Sequence, residues 1–210
     1  MYHLVNAFCA VEISSFYVDV MKDPLYTLAP DLPDRRSAQT AIFETVVNLA
    51  KLIAPVMPFT ADEVWSFVPG QKSESVHLAE FPRADAKQRD LELEERWKRL
   101  FDVRQVAALE LEKARQSGLI GKSLEARVEI EPNNDATREL LENLGSALET
   151  VLIVSRVRVA QPTGGELRVK VNRASGRKCV RCWRWTEDVG VEATHPELCG
   201  RCASVVKQRT

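Results

Sequence analysis

The sequence has few of the residues on which most catalytic sites depend. Histidine occurs only three times, at His3, His77 and His195, and these positions are far apart in the chain. No glycine-rich phosphate loop precedes a predicted helix, and no G-x-S-x-G string is present. The carboxylates of residues 92–95 form a charge run that is typical of a solvated helix surface. The sequence therefore offers no nucleophile and base that would form a hydrolytic site.

Long apolar runs are missing as well. No stretch of 18 or more consecutive apolar residues occurs, so we expect no membrane-spanning helix. The first twenty residues lack the basic start and the small-residue cleavage site of a secretory signal. Five cysteines are too few for a disulfide scaffold in 210 residues, and Cys9 lies on an apolar stripe where a small core residue is expected. These features predict a cytoplasmic protein.

Charge is present in both signs but is unevenly distributed. The formal net charge is only -1, yet residues 156–210 hold 12 Lys and Arg against 5 Asp and Glu. The first 155 residues are correspondingly acidic, with 17 Lys and Arg against 25 Asp and Glu. A basic tail on an acidic body is typical of a protein with an anionic partner, of which RNA and DNA are the leading candidates. A solvated surface is the alternative.

The first 120 residues have the apolar spacing of a helical protein. Apolar residues recur every three or four positions in four segments, at about 1–22, 35–54, 61–68 and 89–117. Pro24 should end the first helix, since proline disfavours helix at the residue before it. Asp34 should cap the second, and Thr60 with Glu63 forms a capping box for the third. Gly118 is suited to the C-cap of the fourth.

The apolar pattern changes after residue 120. Residues 126–131 alternate between apolar and charged side chains, as a strand with one buried face should. Residues 135–148 have helical spacing, and residues 151–159 are rich in Val and Ile and are predicted to be a strand. Gly164 and Gly165 mark a turn before a second alternating segment, 167–171.

We therefore predict a mainly α fold in three parts. Residues 1–120 should form an antiparallel helical bundle, and residues 121–172 a small α+β unit. Residues 173–210 should form a C-terminal module with four cysteines.

The strongest signal for chemistry lies in that module. Cys179 and Cys182 form one C-x-x-C pair, and Cys199 and Cys202 form a second after a spacer of sixteen residues. Two such pairs can complete a tetrahedron of thiolates around one Zn²⁺ ion. His195 could replace a cysteine, but four cysteines already suffice. A closed four-sulfur site has no open coordination position, so we predict a structural zinc ion and no hydrolytic function.

Basic and aromatic residues surround the two pairs. Arg181, Arg184 and Arg201 could hold phosphates, and an exposed indole of Trp183 or Trp185 could stack on an unpaired base. The alternative for the tryptophans is that they fill the small core of the module. For Trp183 the core role is slightly favoured, because this residue directly follows a ligand.

The motifs together resemble the C-terminal part of the bacterial isoleucyl-tRNA synthetase family, in class Ia. The resemblance rests on segments that run in family order, namely Phe16-Tyr17-Val18-Asp19, Lys22-Asp23-Pro24-Leu25-Tyr26, Arg36-Ser37-Ala38-Gln39-Thr40, Ala54-Pro55-Val56-Met57-Pro58-Phe59, Gly121-Lys122-Ser123-Leu124-Glu125-Ala126, and the zinc segment from Lys178 to Cys202. It implies that residues 1–120 are an anticodon-binding domain lacking an upstream helix, whose loss would expose an apolar groove.

The resemblance also implies what the chain does and does not do. The intact enzyme would attach isoleucine to its tRNA with ATP, but the H-x-G-H and K-M-S-K-S motifs of that chemistry do not occur in this sequence. We therefore expect a monomeric chain that binds isoleucine tRNA, does not bind DNA and does not aminoacylate. The expected RNA contacts are Lys22, Arg35 and Arg36 in the body, with Arg181, Trp183, Arg184 and Arg201 in the module. Pro24 stands where many relatives carry arginine, which puts a contact at that position in doubt.

Two other interpretations of the zinc motif remain. The C-x2-C-x16-C-x2-C spacing is similar to the zinc finger of formamidopyrimidine-DNA glycosylases, but those enzymes need an N-terminal proline nucleophile and a following glutamate. This chain begins Met1-Tyr2-His3-Leu4. The other interpretation is a free-standing regulatory protein built from synthetase parts.

Overall fold

The structure is a computed structural model that describes residues 2–70 and 73–208. It is mainly helical with two small sheets and a C-terminal cysteine cluster, as the sequence predicts. The chain forms two compact units, Met1–Arg89 and Asp90–Thr210. The division between them precedes the long fourth helix, whereas the sequence placed it after that helix. The three-part division stays a prediction.

The first unit is built from helices. Its elements are α1 (Tyr2–Ala7), a π-helical segment (Phe8–Val18), α2 (Asp19–Thr27), α3 (Pro33–Ile53), α4 (Pro58–Phe67) and 3-10 turns at Val76–Leu78 and Ala86–Gln88. The expectation that Pro24 ends the first helix is wrong, because α2 continues to Thr27. The Pro24 carbonyl still accepts from the Leu28 N–H at 3.3 Å, and the Thr27 hydroxyl donates to the Asp23 carbonyl at 2.8 Å. These bonds support the turn that follows the proline.

Prolines start two of these helices earlier than the predicted caps. Pro33 and Pro58 occupy the first turns of α3 and α4, and neither helix has a side-chain cap. Proline is favoured there because its φ is already helical and its missing N–H would be unpaired anyway. Asp34 therefore lies inside the first turn, and Thr60 is inside α4 and exposed. The predicted capping roles of Asp34 and Thr60 are wrong for this reason.

The core of the first unit is made largely of small residues around one tryptophan. Trp65 is 4% exposed, and its indole N–H donates to the Ser73 carbonyl at 2.9 Å. The rest of the buried cluster is Ala50, Ala54, Ala61, Val68 and Val76. Asp62 fixes the turn over this core, since its carboxylate accepts from the Ser75 hydroxyl and the Val76 N–H at 2.7 and 3.0 Å. That turn is a 3-10 turn, Val76–Leu78.

The N-terminal helix of this unit is largely exposed. Val20 is buried, but Cys9 is only half-buried and lines an open apolar cavity of about 320 Å³ against α3 and α4. An exposed apolar surface in this unit agrees with the sequence analysis, and the upstream helix stays a prediction. The run Tyr2–Thr27 is also long and apolar enough to cross a membrane, contrary to the sequence analysis. Since core helices and signal sequences pass the same test, length and composition assign no membrane role.

The second unit begins with the long helix α5 (Leu91–Gln116). Asp90 caps it by accepting from the Leu93 N–H at 2.9 Å, and Gly118 ends it with a φ of 73°. Left-handed backbone of this kind is easiest for glycine, which confirms the predicted C-cap. The buried face of α5 consists of Leu100, Val103, Ala107, Leu111 and Ala114, whereas Leu93 is exposed and Trp97 is half-buried.

A three-stranded sheet packs against this helix. Its strands are β1 (Ala126–Glu131), β2 (Arg156–Val159) and β3 (Arg168–Arg173), with helices α6 (Asp135–Leu144) and α7 (Ala147–Leu152) before β2. The central β1 pairs with β2 in parallel and with β3 antiparallel. The predicted single helix 135–148 is broken at Gly145, where φ is 49°, and Val151 and Leu152 belong to α7 and not to a strand.

The core of the second unit is dense. Ala126, Val128 and Ile130 from β1 are fully buried, and Leu148 and Val154 lie beside them at 1% and 0% exposed. After β3 the chain forms a two-stranded hairpin, β4 (Arg177–Lys178) and β5 (Trp185–Thr186), and ends in α8 (Gly200–Lys207). The hairpin and α8 carry the four cysteines.

Candidate metal centre and nucleic-acid surface

The four paired cysteines meet at one point. Cys179 and Cys182 come from the turn between β4 and β5, while Cys199 caps α8 and Cys202 lies in its first turn. All four are 7% exposed or less, and their Sγ atoms lie within 4.8 Å of one another. The Sγ atoms of Cys182 and Cys199 are 3.8 Å apart. Zinc–sulfur bonds of about 2.3 Å in a tetrahedron require sulfur–sulfur distances of about 3.8 Å. The cluster therefore has the donors and the size for one Zn²⁺ ion.

Backbone hydrogen bonds fold the first pair into a tight knuckle. The Cys179 N–H donates to the Arg184 carbonyl, and the Trp183 N–H donates to the Cys179 carbonyl, both at 2.9 Å. The Cys199 N–H approaches the Cys179 sulfur at 3.4 Å, which links the two knuckles. Trp183 has a φ of 65°, in the left-handed region that non-glycine residues seldom adopt. The knuckle thus holds a bulky residue in a strained conformation.

The protonation of the four thiols is mutually dependent. Hydrogen bonds from Cys199 and then Cys202 lower the pKa of Cys182. The hydrogen bond with Cys182 raises the pKa of Cys199 above its usual range. A separate hydrogen bond with Cys182 raises the pKa of Cys202 to about 11. Four thiols this close cannot all ionise without a cation among them. A Zn²⁺ ion would supply that charge, since zinc binds thiolates and displaces their protons.

A carboxylate and a glycine position the second knuckle. The Gly200 N–H, in the first turn of α8, donates to Asp188 Oδ2 at 2.8 Å. The nearby Thr186 side chain, followed by the hydrogen bond from the Gly200 N–H, holds the pKa of Asp188 below its usual value. A Cβ added at Gly200 would lie 2.9 Å from the same oxygen. Asp188 can therefore approach the helix N-terminus closely only because residue 200 has no side chain.

A buried ion pair fastens the knuckle to α7. Arg184 Nη1 donates to Glu149 Oε2 at 3.0 Å, and Nη2 donates to the Thr150 hydroxyl at 2.8 Å. The two charged side chains are only 11% and 13% exposed. The Trp185 N–H also donates to the hydroxyl of buried Ser155 at 2.7 Å. The cysteine module is therefore seated on the α+β unit by polar contacts.

The other basic and aromatic residues of the module face outward to different degrees. Trp183 is 57% exposed, so the interpretation that it fills the module's core is wrong. The Lys178 ammonium lies 5.7 Å from the centroid of its ring. Arg181 and Arg201 are half-buried beside the sulfur cluster, with Arg181 Nη1 3.6 Å from Cys202 Sγ. Trp185 is half-buried in β5.

The predicted contacts of the body lie in the first unit. Lys22 forms an exposed ion pair with Asp19 at 2.7 Å, which raises its pKa. Arg35 is half-buried and donates to the Leu28 carbonyl at 2.9 Å. Arg36 is exposed and lies within 3.2 Å of the Gln39 side-chain oxygen. These three residues belong to a different compact unit from the cysteine cluster.

Comparison with known proteins gives a family match for the helical region and another for the cysteine module. A sequence model described as "Anticodon-binding domain of tRNA ligase" matches residues 1–130, which is more than half of the chain. The chain belongs to that family. A second model, described as "Zinc finger found in FPG and IleRS", matches residues 176–205 and so includes all four cysteines.

Individual relatives of this anticodon-binding chain match it along its whole length. Isoleucine–tRNA ligases of Syntrophotalea carbinolica and Moorella thermoacetica are 46% and 44% identical over 100% and 99% of the chain. That of Brachyspira hyodysenteriae is 46% identical over 97%. The chain spans about a quarter of the length of these relatives, 23%, 24% and 23% respectively. The matches lie in their C-terminal part.

These matches separate the two nucleic-acid interpretations of the zinc motif. The zinc-finger description covers both FPG and IleRS proteins, so the cysteine spacing alone does not distinguish them. The helical family match over residues 1–130 and the ligase relatives over the whole chain favour the synthetase family. The glycosylase-type alternative is not supported.

Sequence reasoning missed the residues that hold the module of this family member in place. Glu149, Thr150 and Ser155 contact the knuckle from 30 to 35 positions away in the sequence. No local pattern marks such long-range partners. Asp188 lies inside the zinc segment that the sequence identified. Its role could have been suggested by the glycine that begins α8, since an acidic side chain can accept from the backbone N–H of such a residue.

Proposed function

We propose that this chain is the tRNA-binding part of an isoleucine–tRNA ligase and that it holds the anticodon arm. The observation that carries this proposal is the joint match to an anticodon-binding domain and to ligase relatives over the whole chain. Recognition of a tRNA loop requires surfaces that stack on splayed bases and cations that hold phosphates. The exposed indole beside the metal centre has the first property.

We propose Trp183 as a base-stacking residue of the module. Its left-handed backbone costs roughly 1–2 kcal/mol, and an indole that is 57% exposed gains little packing in return. A residue of this size in such a position is better explained by contact with a ligand. Arg181 and Arg201 flank the same knuckle and would hold phosphates.

Arg184 has a different role in this proposal. Its guanidinium is buried against Glu149, so it positions the knuckle and is not offered as a phosphate contact. Lys22, Arg35 and Arg36 stay proposed contacts of the helical body. Of these, Lys22 and Arg36 are exposed, whereas Arg35 is half-buried.

The remainder of the proposal concerns the intact enzyme. Attachment of isoleucine with ATP would belong to regions outside these 210 residues, and we expect this chain alone to be inactive in aminoacylation. One structural Zn²⁺ ion would be held by the four cysteines. We further propose a cytoplasmic monomer without affinity for DNA. An aminoacylation assay on the isolated chain that gave charged tRNA would contradict the first of these points.

The proposal is tested by titrating the zinc-loaded chain with isoleucine tRNA and with the same tRNA carrying a changed anticodon, at two salt concentrations. Weaker binding of the changed tRNA, with affinity falling as salt rises, is the expected result. Trp183→Ala should weaken binding of isoleucine tRNA by about 1–3 kcal/mol, as loss of one stacked base does. Val191→Ala is a control, because Val191 is another apolar residue of the module and is 79% exposed, more than Trp183. No difference between these two variants would remove Trp183 from the site.

A further inference from the structure

One face of the three-stranded sheet carries mostly exposed side chains. Every second residue of β1 points into the core, where Ala126, Val128 and Ile130 are fully buried. The intervening residues lie on the opposite face, since side chains alternate along a strand. That opposite face is here called the open face. It includes Arg156 and Arg158 of β2, which are both exposed.

The open face carries a marked excess of positive charge. The register places Arg127 of β1 beside Arg156 of β2 and Asn172 of β3. The next row holds Arg158, Glu129 and Lys170, and the last row pairs Glu131 with Arg168. The five cations of the open face are exposed, and only two carboxylates stand among them. The cations are Arg127, Arg156, Arg158, Arg168 and Lys170.

Internal ion pairs do not neutralise this face. Arg158 reaches Glu129 at 3.5 Å, and Arg156 reaches Glu149 at 3.4 Å. Within residues 2–70 and 73–208, no carboxylate forms an ion pair with Arg127, Arg168 or Lys170. Arg127 instead has another arginine as its neighbour on β2. Like charges opposite one another destabilise a sheet, so this arrangement does not serve folding.

The exposed cations of α5 show the contrasting arrangement. Lys98 and Arg99 both lie near Glu95, and Lys113 pairs with Glu110 at 2.6 Å. Those cations have acidic partners one turn away and form an ordinary solvated helix surface. The open face of the sheet lacks such partners at three of its five cations, which distinguishes it from that surface.

The dimensions of the open face suit a nucleic-acid backbone. Outer strands of a three-stranded sheet lie about 10 Å apart, and its three rows of side chains span about 13 Å along the strands. Five long, flexible cations over that area can contact several phosphates at once, and phosphate contacts position RNA without reading its sequence. The charge selects a polyanion, and membership of an anticodon-binding family favours RNA over an acidic protein.

We propose that the open face of the β2–β1–β3 sheet binds the sugar–phosphate backbone of tRNA. The inference rests on the proposed tRNA-binding function and adds to it a second surface, separate from the cysteine knuckles. Glu149 joins the two surfaces, since one carboxylate oxygen contacts Arg156 of the open face and the other contacts Arg184 of the module. RNA held by the open face would therefore lie on the same rigid seat as the zinc module.

The test compares two triple variants of the zinc-loaded chain. The first, Arg127→Gln with Arg168→Gln and Lys170→Gln, removes the three unpaired cations of the open face. The second, Lys98→Gln with Arg99→Gln and Lys113→Gln, removes the same charge from α5. Both are titrated with isoleucine tRNA and with its changed-anticodon form between 50 and 200 mM salt.

The first variant should lose affinity equally for both tRNAs, because backbone contacts do not read sequence. The slope of log K against log salt should become shallower by about 3, one for each phosphate contact removed. The decline in affinity between 50 and 200 mM salt should then shrink by about 60-fold. The α5 variant should change the slope by less than one. Glu129→Gln releases Arg158 and should tighten binding of both tRNAs.

Four results would overturn the proposal. The first is an unchanged salt slope in the first variant, and the second is an equal change of slope in the α5 variant. The third is a loss of affinity in the first variant that affects only the tRNA with the matched anticodon. The fourth is unchanged tRNA affinity in the first variant, together with binding of polyglutamate by the wild-type chain that this variant loses. The last would assign the face to an acidic protein. Anticodon-dependent binding that survives in the first variant would leave the proposed function standing. A wild-type chain that binds no tRNA would overturn both.

Discussion

The two compact units achieve order in different ways. In Asp90–Thr210, a sheet ladder, a buried ion pair and a four-cysteine cluster tie together residues that are distant in sequence. In Met1–Arg89, helices pack through small residues, and the N-terminal helix leaves an open apolar cavity beside it. The comparison indicates that specific long-range contacts reinforce a dense core in the second unit, whereas the first relies mainly on the packing of its helices.

Removal of the metal should have the largest effect and should fall on one unit only. Structural zinc contributes on the order of 10–16 kcal/mol of apparent binding free energy, and about thirty residues cannot bury enough surface to replace it. Cys202→Ser, or a chelator, should abolish zinc binding and unfold the module, while the helices of the first unit remain. Metal analysis and far-ultraviolet circular dichroism measure both.

The matched control for this substitution is Cys9→Ser, which alters the half-buried cysteine of the first unit. It should retain one zinc ion per chain. Loss of zinc in this variant would mean that zinc binding depends on Cys9 as well as on the four clustered cysteines.

The next largest effect is expected at the ion pair that seats the module. Glu149→Ala leaves the Arg184 guanidinium buried without its carboxylate, and breaking a buried pair in this way costs about 3–5 kcal/mol. Urea unfolding followed by Trp fluorescence measures the loss, and metal analysis should still find zinc. The comparison variant Glu112→Ala breaks the more exposed pair with Arg115 and should cost about 1 kcal/mol or less. Similar losses in both would show that the seat is no more than a surface contact.

The smallest effect concerns helix caps, on which sequence and structure disagree. Asp90→Ala removes the side chain that accepts from the Leu93 N–H, and it should destabilise the second unit by about 1 kcal/mol. Thr60→Ala should be neutral or slightly stabilising, because Thr60 is exposed within α4 and alanine has the higher helix propensity. Thermal unfolding distinguishes the two. A loss of about 1 kcal/mol at Thr60 would restore the capping box that the sequence suggested.

Local sequence patterns correctly predicted several features that depend mainly on residues close together in the chain. The metal cluster followed from cysteine spacing, β1 from alternation at Ala126–Glu131, and the end of α5 from Gly118. Errors arose where two local signals competed. Pro58 began α4 before Thr60 could cap it, and Gly145 divided a segment whose spacing was helical throughout.

Long-range contacts were beyond the reach of these patterns. An arginine beside a knuckle has the same local sequence whether it points to solvent or to a carboxylate. The inward position of Arg184 depends on Glu149, which lies 35 residues earlier in the chain. The exposure of Trp183 likewise depends on the left-handed backbone of the knuckle, a conformation that spacing does not reveal.

The ion pair between Glu149 and Arg184 also has a consequence for how related sequences diverge. Glu149 and Arg184 are buried charges that neutralise each other, and loss of either one leaves the other buried without a partner. A change at one position alone should therefore be selected against. Joint replacement by two apolar residues of similar volume would remove that penalty. Across an alignment, the two columns should therefore covary, and a lineage with an apolar residue at one position should carry an apolar residue at the other.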